Sequence, residues 1–261
     1  LLNIQSDHID YHGSFKSYKC AKEKILSAKN TITDEMDPFK LFQWITNKQP
    51  ERMQFKNLPF RFELMSLLGR TCFSKKPLIK NGYCNLGCGP RIIEGFVNAE
   101  FFQFNLLRKL LKKSIIKKKI DWEVDLRFKL KCNSNFFYGI LVEHVVEHLK
   151  ILDALRLFKE INRILKPGAL LRVSVPDLKM YIDYYCGKKV HKKFSGWDNI
   201  KSEAIWSLNH NFGHQSVYDA ELLTDLLIKA DFKEVRKCSF NNSLDPQLRV
   251  DDFGRSWESL Y

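Results

Sequence analysis

The chain has no apolar run approaching the ~20 residues that a bilayer-spanning helix needs, and its start lacks the basic, apolar, small-residue order of a secretory signal. It begins at Leu1 rather than Met, and the expected location is cytoplasmic. Cysteine is sparse and odd in number: seven in 261 residues, scattered at positions 20, 72, 84, 88, 132, 186 and 238. That excludes a disulfide framework and predicts reduced thiols. Cys84 and Cys88 have no second Cys/His pair nearby to complete a zinc site, so no metal is expected there and packing beside a turn is the expected role. Acidic residues are short relative to basic ones, 30 against 43, leaving a net charge of +13.

Such a field draws anions: phosphorylated small molecules, nucleotide-linked sugars, nucleic acid or an anionic membrane surface. The excess collects at Arg108-Lys109, Lys112-Lys113 and Lys117-Lys118-Lys119, with a second knot at Lys188-Lys189 and Lys192-Lys193. No recognisable RNA-binding module accompanies it. A solvated helix face is therefore preferred to a nucleic-acid site. With 44% hydrophobic and 13% aromatic residues, the chain has the material for one large domain with a small appended part.

The stretch Tyr83-Cys84-Asn85-Leu86-Gly87-Cys88-Gly89 organises what is present. An apolar, strand-like run meets two glycines, and glycine lets backbone approach a ligand that a side chain would push away. Acidic residues follow at the ends of the next two apolar runs, Glu100 and Asp125, and a strand-to-helix junction comes at Glu143-His144. In chain order this is the outline of a nucleotide-like ligand site.

Asn85-Leu86-Gly87-Cys88-Gly89, Gly95-Phe96-Val97-Asn98, Glu143-His144-Val145-Val146-Glu147-His148-Leu149, Leu165-Lys166-Pro167-Gly168 and Val175-Pro176-Asp177-Leu178 together resemble the class I S-adenosylmethionine-dependent methyltransferases. Within them the likeness is to small bacterial enzymes associated with surface-polysaccharide biosynthesis. It covers roughly residues 80 to 261. The implied fold is α/β, a Rossmann-like seven-stranded, mostly parallel sheet whose last strand is antiparallel, and the implied cofactor is S-adenosyl-L-methionine. Asn85, Gly87, Cys88 and Gly89 would hold its methionine end. Glu100, where this family mostly shows Asp, would take the ribose hydroxyls; Asp125 with Leu126 would meet the adenine, and Glu143 would border the site.

Strands are predicted near 83 to 86, 96 to 99, 121 to 124, 137 to 142, 169 to 175, 233 to 240 and 257 to 261. Helices are predicted over 152 to 165, stopped by Lys166-Pro167-Gly168, and over 219 to 229. Only Pro90 to Glu94 separate the glycine turn from Gly95-Phe96-Val97, too few for a crossover helix. The first crossover must be abbreviated, which shifts the holding of the ligand's charge onto the amides of residues 87 to 91. Residues 1 to 80 read as a helical extension, with helical spacing at 18 to 29, 38 to 47 and 60 to 68; they either pack on the sheet or close over its ligand edge as a lid. Residues 81 to 261 form the main domain. Within it, 176 to 217 lacks a clear period and is rich in Tyr, Trp and Lys, as expected of a substrate cap at the carboxyl end of a strand.

Methyl transfer from a sulfonium needs an aligned acceptor and a group to take its proton. His144 is the first candidate base, because imidazole titrates near neutrality; His214 and His210 are the next. The expected acceptor is a small, carbohydrate-type or phosphorylated molecule, a nucleotide-linked glycan precursor being the resemblance's own suggestion, methylated on a hydroxyl. An amine acceptor stays open. Competing readings are an RNA methyltransferase, suggested by charge alone, and a binding protein without catalysis. A zinc hydrolase is a third, because His144-Val145-Val146-Glu147-His148 fits H-x-x-E-H. The glycine turn and acidic strand ends would have no task in that last case.

Overall fold

Among the described residues six strands form one sheet, the third in chain order at one edge, then the second, first, fourth and fifth, and the sixth at the other edge, as the alternation of short apolar runs with helical repeats implied. The structure, a computed structural model, describes residues 58–78, 82–102 and 120–261, all within the compact unit Phe55–Tyr261. The predicted helices at 18 to 29 and 38 to 47 and the basic runs between 108 and 119 lie outside the described residues.

The strands are β1 (Tyr83–Leu86), β2 (Val97–Glu100), β3 (Trp122–Glu123), β4 (Phe137–Glu143), β5 (Leu165–Pro176) and β6 (Ser259–Leu260). β1 pairs in parallel with β2 and β4, in register Cys84 to Val97 and Cys84 to Ile140. β3 and β5 extend the parallel sheet on either side. β6 alone is antiparallel, pairing Val175 with Leu260. β4 carries a near-continuous apolar run and is buried throughout Gly139–Val142, Tyr138 before them being exposed, as a strand covered on both faces over that stretch must be.

The expected seventh strand is absent among the described residues. Residues 233–240 run beside the end of the chain but make one backbone bond there, Cys238 N–H to the Tyr261 carbonyl at 2.8 Å. Two reasons are visible. Lys233, Glu234, Arg236 and Lys237 leave little apolar surface to bury, and the neighbouring β6 has only two residues to serve as a template. β3 is likewise shorter than predicted.

Helix α1 (Leu58–Leu68) precedes the sheet and runs into a π turn, Gly69–Phe73. α2 (Ile151–Ile164) buries Ala154, Leu157, Phe158, Ile161 and Ile164, spaced three and four apart, in the main core beneath β1 and β4. Its stop comes before Lys166-Pro167-Gly168: Leu165 is already extended and pairs with Phe137, so those three residues open β5. α5 (Ala220–Lys229) starts at Asp219, whose carboxylate accepts the Leu222 N–H at 2.8 Å.

Residues 176–217 are more regular than expected. α3 (Leu178–Tyr185), a 3-10 turn (Lys192–Trp197) and α4 (Ser202–His210) enclose a core of their own, built on Tyr181, Tyr184, Phe194, Ala204 and Leu208. Aromatic rings meet edge to face there, Tyr181 to Phe194 at 5.0 Å and Phe194 to Trp257 at 5.1 Å. The tyrosines and tryptophans expected to stack on an acceptor are in large part spent on one another; Tyr185 and Phe212 stay exposed.

A buried ion pair ties β5 to the C-terminal segment. The Arg172 guanidinium donates from Nε to Asp251 Oδ1 at 3.0 Å and from Nη2 to Oδ2, and further to the Asn242 and Ser239 carbonyls, both at 2.9 Å. Asp251 also accepts the Asn241 N–H at 2.6 Å. Removing one partner leaves the other charge buried alone, which costs roughly 3–5 kcal/mol. Arg172→Ala is expected to lose that much in urea unfolding, and Arg172→Met, paired with Asp251→Leu, to recover most of it.

Candidate functional site

At the carboxyl ends of β1, β2 and β4 the chain turns around residues that hold one another in place of a crossover helix. Asn85, buried in β1, donates its carboxamide N–H to the Arg91 carbonyl at 2.8 Å and to Asn98 Oδ1 at 3.2 Å. Asn98, buried in β2, accepts the Ile93 N–H and donates to the Ile93 carbonyl, both at 2.9 Å. These two side chains close the 87–96 loop. Arg91 then reaches Glu143 at the end of β4 and donates to the Val250 carbonyl. Glu143 also accepts the Asp252 N–H at 2.7 Å, and burial pushes its carboxyl up from the usual value although Arg91 and that amide pull it down.

The glycine turn works by space rather than by free amides, contrary to expectation. Gly87 and Cys88 both donate to the Ala99 carbonyl at 2.9 Å, Gly89 donates to Glu100 Oε2 at 2.6 Å, and Arg91 donates to the Cys88 carbonyl. Pro90 has no N–H. Every donor from 87 to 91 is thus turned inward. The two glycines differ sharply. At Gly87, φ is +77° and an added Cβ would lie 2.6 Å from Val145 Cγ2, so this residue is set by packing against the turn after β4. At Gly89, φ is +49° and an added Cβ would meet nothing within 4 Å. The open space therefore lies over Gly89, beside the Glu100 carboxylate. Glu100 accepts from Gly89 and Phe101, and a carboxylate with about four lone-pair sites retains capacity for two hydroxyls. Cys84 and Cys88 are buried thiols beside the turn, outside any disulfide, and burial raises the Cys84 thiol well above its usual value.

Asp125, just after β3, is buried and fully engaged. Oδ1 accepts from the Arg127 N–H and Nε, and Oδ2 from Arg127 Nη2 and the Ser66 hydroxyl of α1. Burial alone would raise its carboxyl; Arg127 and Ser66 instead hold it below the usual range. α1 lies over this end of the sheet. Glu63 pairs with Arg127, Phe62 stacks on Phe101 at 4.4 Å, and the Arg70 guanidinium covers the Phe128 ring at 3.5 Å. Leu126 packs at the margin of the main core.

The histidines gather after β4. His144 adopts φ +51°, a left-handed backbone that few non-glycine residues take. Its Nε2 is 2.7 Å from Ser259 Oγ, and Ser259 donates its own proton to the Arg255 carbonyl, so His144 is the donor in that contact. Its Nδ1 lies 3.3 Å from Glu147 Oε1. The segment that follows is a 3-10 turn, Val146–His148, not an α-helix, so His144 and His148 do not form the paired helical ligands of the zinc-protease pattern. His148 instead meets His214, ring centroids 5.0 Å apart. Burial and the neighbouring His214 lower His148, outweighing the pull of Glu147. His214 Nδ1 is 2.7 Å from the Leu208 carbonyl, which fixes that nitrogen as the protonated one and leaves Nε2 with its lone pair. His210 stands apart, exposed at the end of α4 beside Trp206.

The sequence reading thus named His144, His214, Gly87, Gly89, Glu100 and Glu143, which the fold brings to one edge. It missed Ser66, Arg91, Asn98, Arg127 and Ser259. Pro90-Arg91 directly after the glycine turn was an available signal for Arg91; nothing in the sequence marks Ser66 or Ser259.

The family model of a methyltransferase domain matches residues 74–237, well over half of the chain, and the protein belongs to that family. Among solved structures it is similar to a SAM-dependent methyltransferase from Archaeoglobus fulgidus, at 16% identity, over 78% of each chain and with a TM-score of 0.39. It is also similar to an S-adenosylmethionine-dependent methyltransferase from Mesorhizobium loti, at 17% identity, over 70% of this chain and 91% of that one, with a TM-score of 0.41. Likenesses this distant add no residue-level information. No curated protein matches. The protein is a methyltransferase that uses S-adenosyl-L-methionine as its methyl donor; the open surface over Gly89 and the remaining lone pairs of Glu100 would suit the polar sugar and tail of that ligand.

Gly89→Ala should stay folded, with about 1–2 kcal/mol of backbone strain, and lose S-adenosylmethionine affinity at least tenfold in calorimetry, because its methyl group fills the open space. Gly87→Val should fail earlier, in thermal unfolding, since it drives into Val145. Equal loss of binding with no difference in melting between the two would contradict the assignment of space to Gly89.

Proposed function

We propose that the enzyme transfers the methyl group to a hydroxyl of a small acceptor of carbohydrate type, or of a phosphorylated or nucleotide-linked one. The supporting observation is adjacency: Val145, the residue that packs on Gly87, is flanked by His144 and leads into Glu147 and His148, with His214 against them. The histidine-rich rim and the glycine turn are one connected piece. S-adenosylmethionine supplies a methyl group already activated on a sulfonium, and the chain's part is to hold the acceptor in line and take its proton. Alignment contributes several kcal/mol, about 7–11 in the best intramolecular cases, and a positioned base typically ~10²–10⁴-fold. His214 offers a free Nε2 lone pair, and His144 reaches the same carboxylate. Lys192, Lys201 and Lys188, the last paired with Asp183, line a recess of ≈ 250 Å³ with Tyr184, His191 and Asp198, and its excess of basic over acidic groups would favour a phosphate-bearing acceptor.

Label from a radioactive methyl donor, supplied to a cell extract separated into small molecules, glycans, RNA and protein, is expected in the small-molecule or glycan fraction. His214→Ala and His144→Ala should each reduce it at least about a hundredfold. Label confined to RNA or protein would sink the acceptor reading and leave the charge-based RNA alternative.

α1 and its π turn act, in this reading, as a lid on the adenosine end. The support is that Ser66 occupies a lone pair of Asp125 that an adenine amino group would need. Ser66→Ala frees it, and a hydrogen bond to a charged group is worth about 1.5–3 kcal/mol, so the variant should bind S-adenosylmethionine more tightly by roughly tenfold. Weaker binding in calorimetry would argue that Ser66 belongs to the bound state instead.

A further inference from the structure

Glu147 is a carboxylate with both oxygens buried and without a hydrogen-bond partner, and the residue as a whole is 1% exposed. Among its neighbours, His144 Nδ1 lies 3.3 Å from Oε1. Burying a carboxylate with an oxygen left without a donor is costly in a folded protein, and Oε2 is such an oxygen. Beside it are His148 and His214. One ligand atom from each of the three residues lies within 4.8 Å of the other two, somewhat wider than the roughly 3.3 Å edge of a tetrahedron with ~2.0 Å bonds.

The surroundings are built rather than accidental. The amides of Gln215 and Ser216 both donate to the Glu147 backbone carbonyl, at 2.7 and 3.1 Å, fixing the register of His214 against Glu147. Ser216 Oγ donates to the Leu149 carbonyl at 2.8 Å, and the Tyr218 hydroxyl to the Val146 carbonyl at 3.3 Å. His214 gives its Nδ1 proton to the Leu208 carbonyl. A metal-bound histidine characteristically has such an outer partner, which aims the other nitrogen at the metal. Although its titrating nitrogens are partly desolvated, His148 keeps surface open to solvent, which leaves the cluster a way in.

We propose that Glu147, His148 and His214 bind one zinc-type divalent cation. Two imidazoles and one carboxylate are a donor set that zinc accepts with a fourth position left open. The ion would satisfy the orphaned carboxylate and clamp the turn after β4 to the segment leaving α4. Its open position takes water or an oxygen of the acceptor, whose proton a cation makes easier to remove. That last role rests on the hydroxyl-acceptor reading, and in it His214 Nε2 serves as a ligand rather than as the proton acceptor; the binding itself does not rest on that reading.

The test uses the full chain, stripped with a chelator and reloaded with zinc alone. One zinc per chain is expected by elemental analysis, with a higher melting temperature than the stripped protein. His148→Ala and His214→Ala should weaken binding by more than the 10–100-fold that outer partners cost, while His210→Ala binds as the parent does. Because Glu147 is buried and its variants can misfold, His148→Cys reloaded with cobalt(II) provides the independent measurement: the surface residue changes, and a thiolate-to-cobalt charge-transfer band should appear. Failure of the reloaded parent to retain zinc, retention by both histidine variants, or the absence of that band overturns the site. Zinc bound without label in any hydroxylated acceptor would leave the site standing and remove the acceptor reading; label transferred by a protein that holds no zinc would do the reverse.

Discussion

The contact between Arg91 and Glu143 is the constraint on which the ligand edge depends. The first crossover has no helix to stiffen it, so a single guanidinium spans from the loop after β1 to the end of β4 and on to the Val250 carbonyl. Glu143 completes the span by receiving the Asp252 amide. Three segments distant in sequence meet on one partly buried pair. Asn85 and Asn98 then set the loop's shape from beneath, through hydrogen bonds that a helix would otherwise have made internally.

A second consequence of the short crossover concerns charge. In folds where a helix follows the glycine turn, its N-terminus offers unsatisfied amides to a ligand. Here those amides are consumed within the turn, so a ligand at this edge would have to be held by side chains and by shape, the Glu100 carboxylate and the space above Gly89 being the groups on offer. The same economy of donors explains why Val145 abuts Gly87. The turn has to be braced from outside, and the residue that braces it also carries the histidines.

Much of the sheet was legible in the sequence because parallel strands covered on both faces are short, apolar and regularly spaced; β1, β2, β4 and the α2 repeat are of this kind. The antiparallel β6 was expected too, though only by resemblance. What failed to read out depended on long-range partners. Residues 233–240 look like a strand until their neighbour proves two residues long. The partners of the 176–217 aromatics did not read out either: α3 and α4 turn many of them toward Phe194 and Trp257. The glycine, glutamate and histidine positions stand out in the sequence because their chemistry is local, and the fold sets Gly87, Gly89, Glu100, Glu143 and His144 at the strand ends. Ser66 on Asp125 and Ser259 on His144 do not, since a serine gives no sign of a partner 59 or 115 residues away.

The small core enclosed by α3, α4 and the 192–197 turn has an evolutionary meaning. Its rings close on one another and on Trp257, apart from the cluster that underlies the sheet. Substitutions on the outer faces of that lobe are therefore insulated from the folding of the donor-binding half. Such a lobe can diverge in shape and charge under selection for different molecules while the methyl-donor machinery beside it stays unchanged, a division of labour in which novelty accumulates on one side of the molecule and chemistry is preserved on the other.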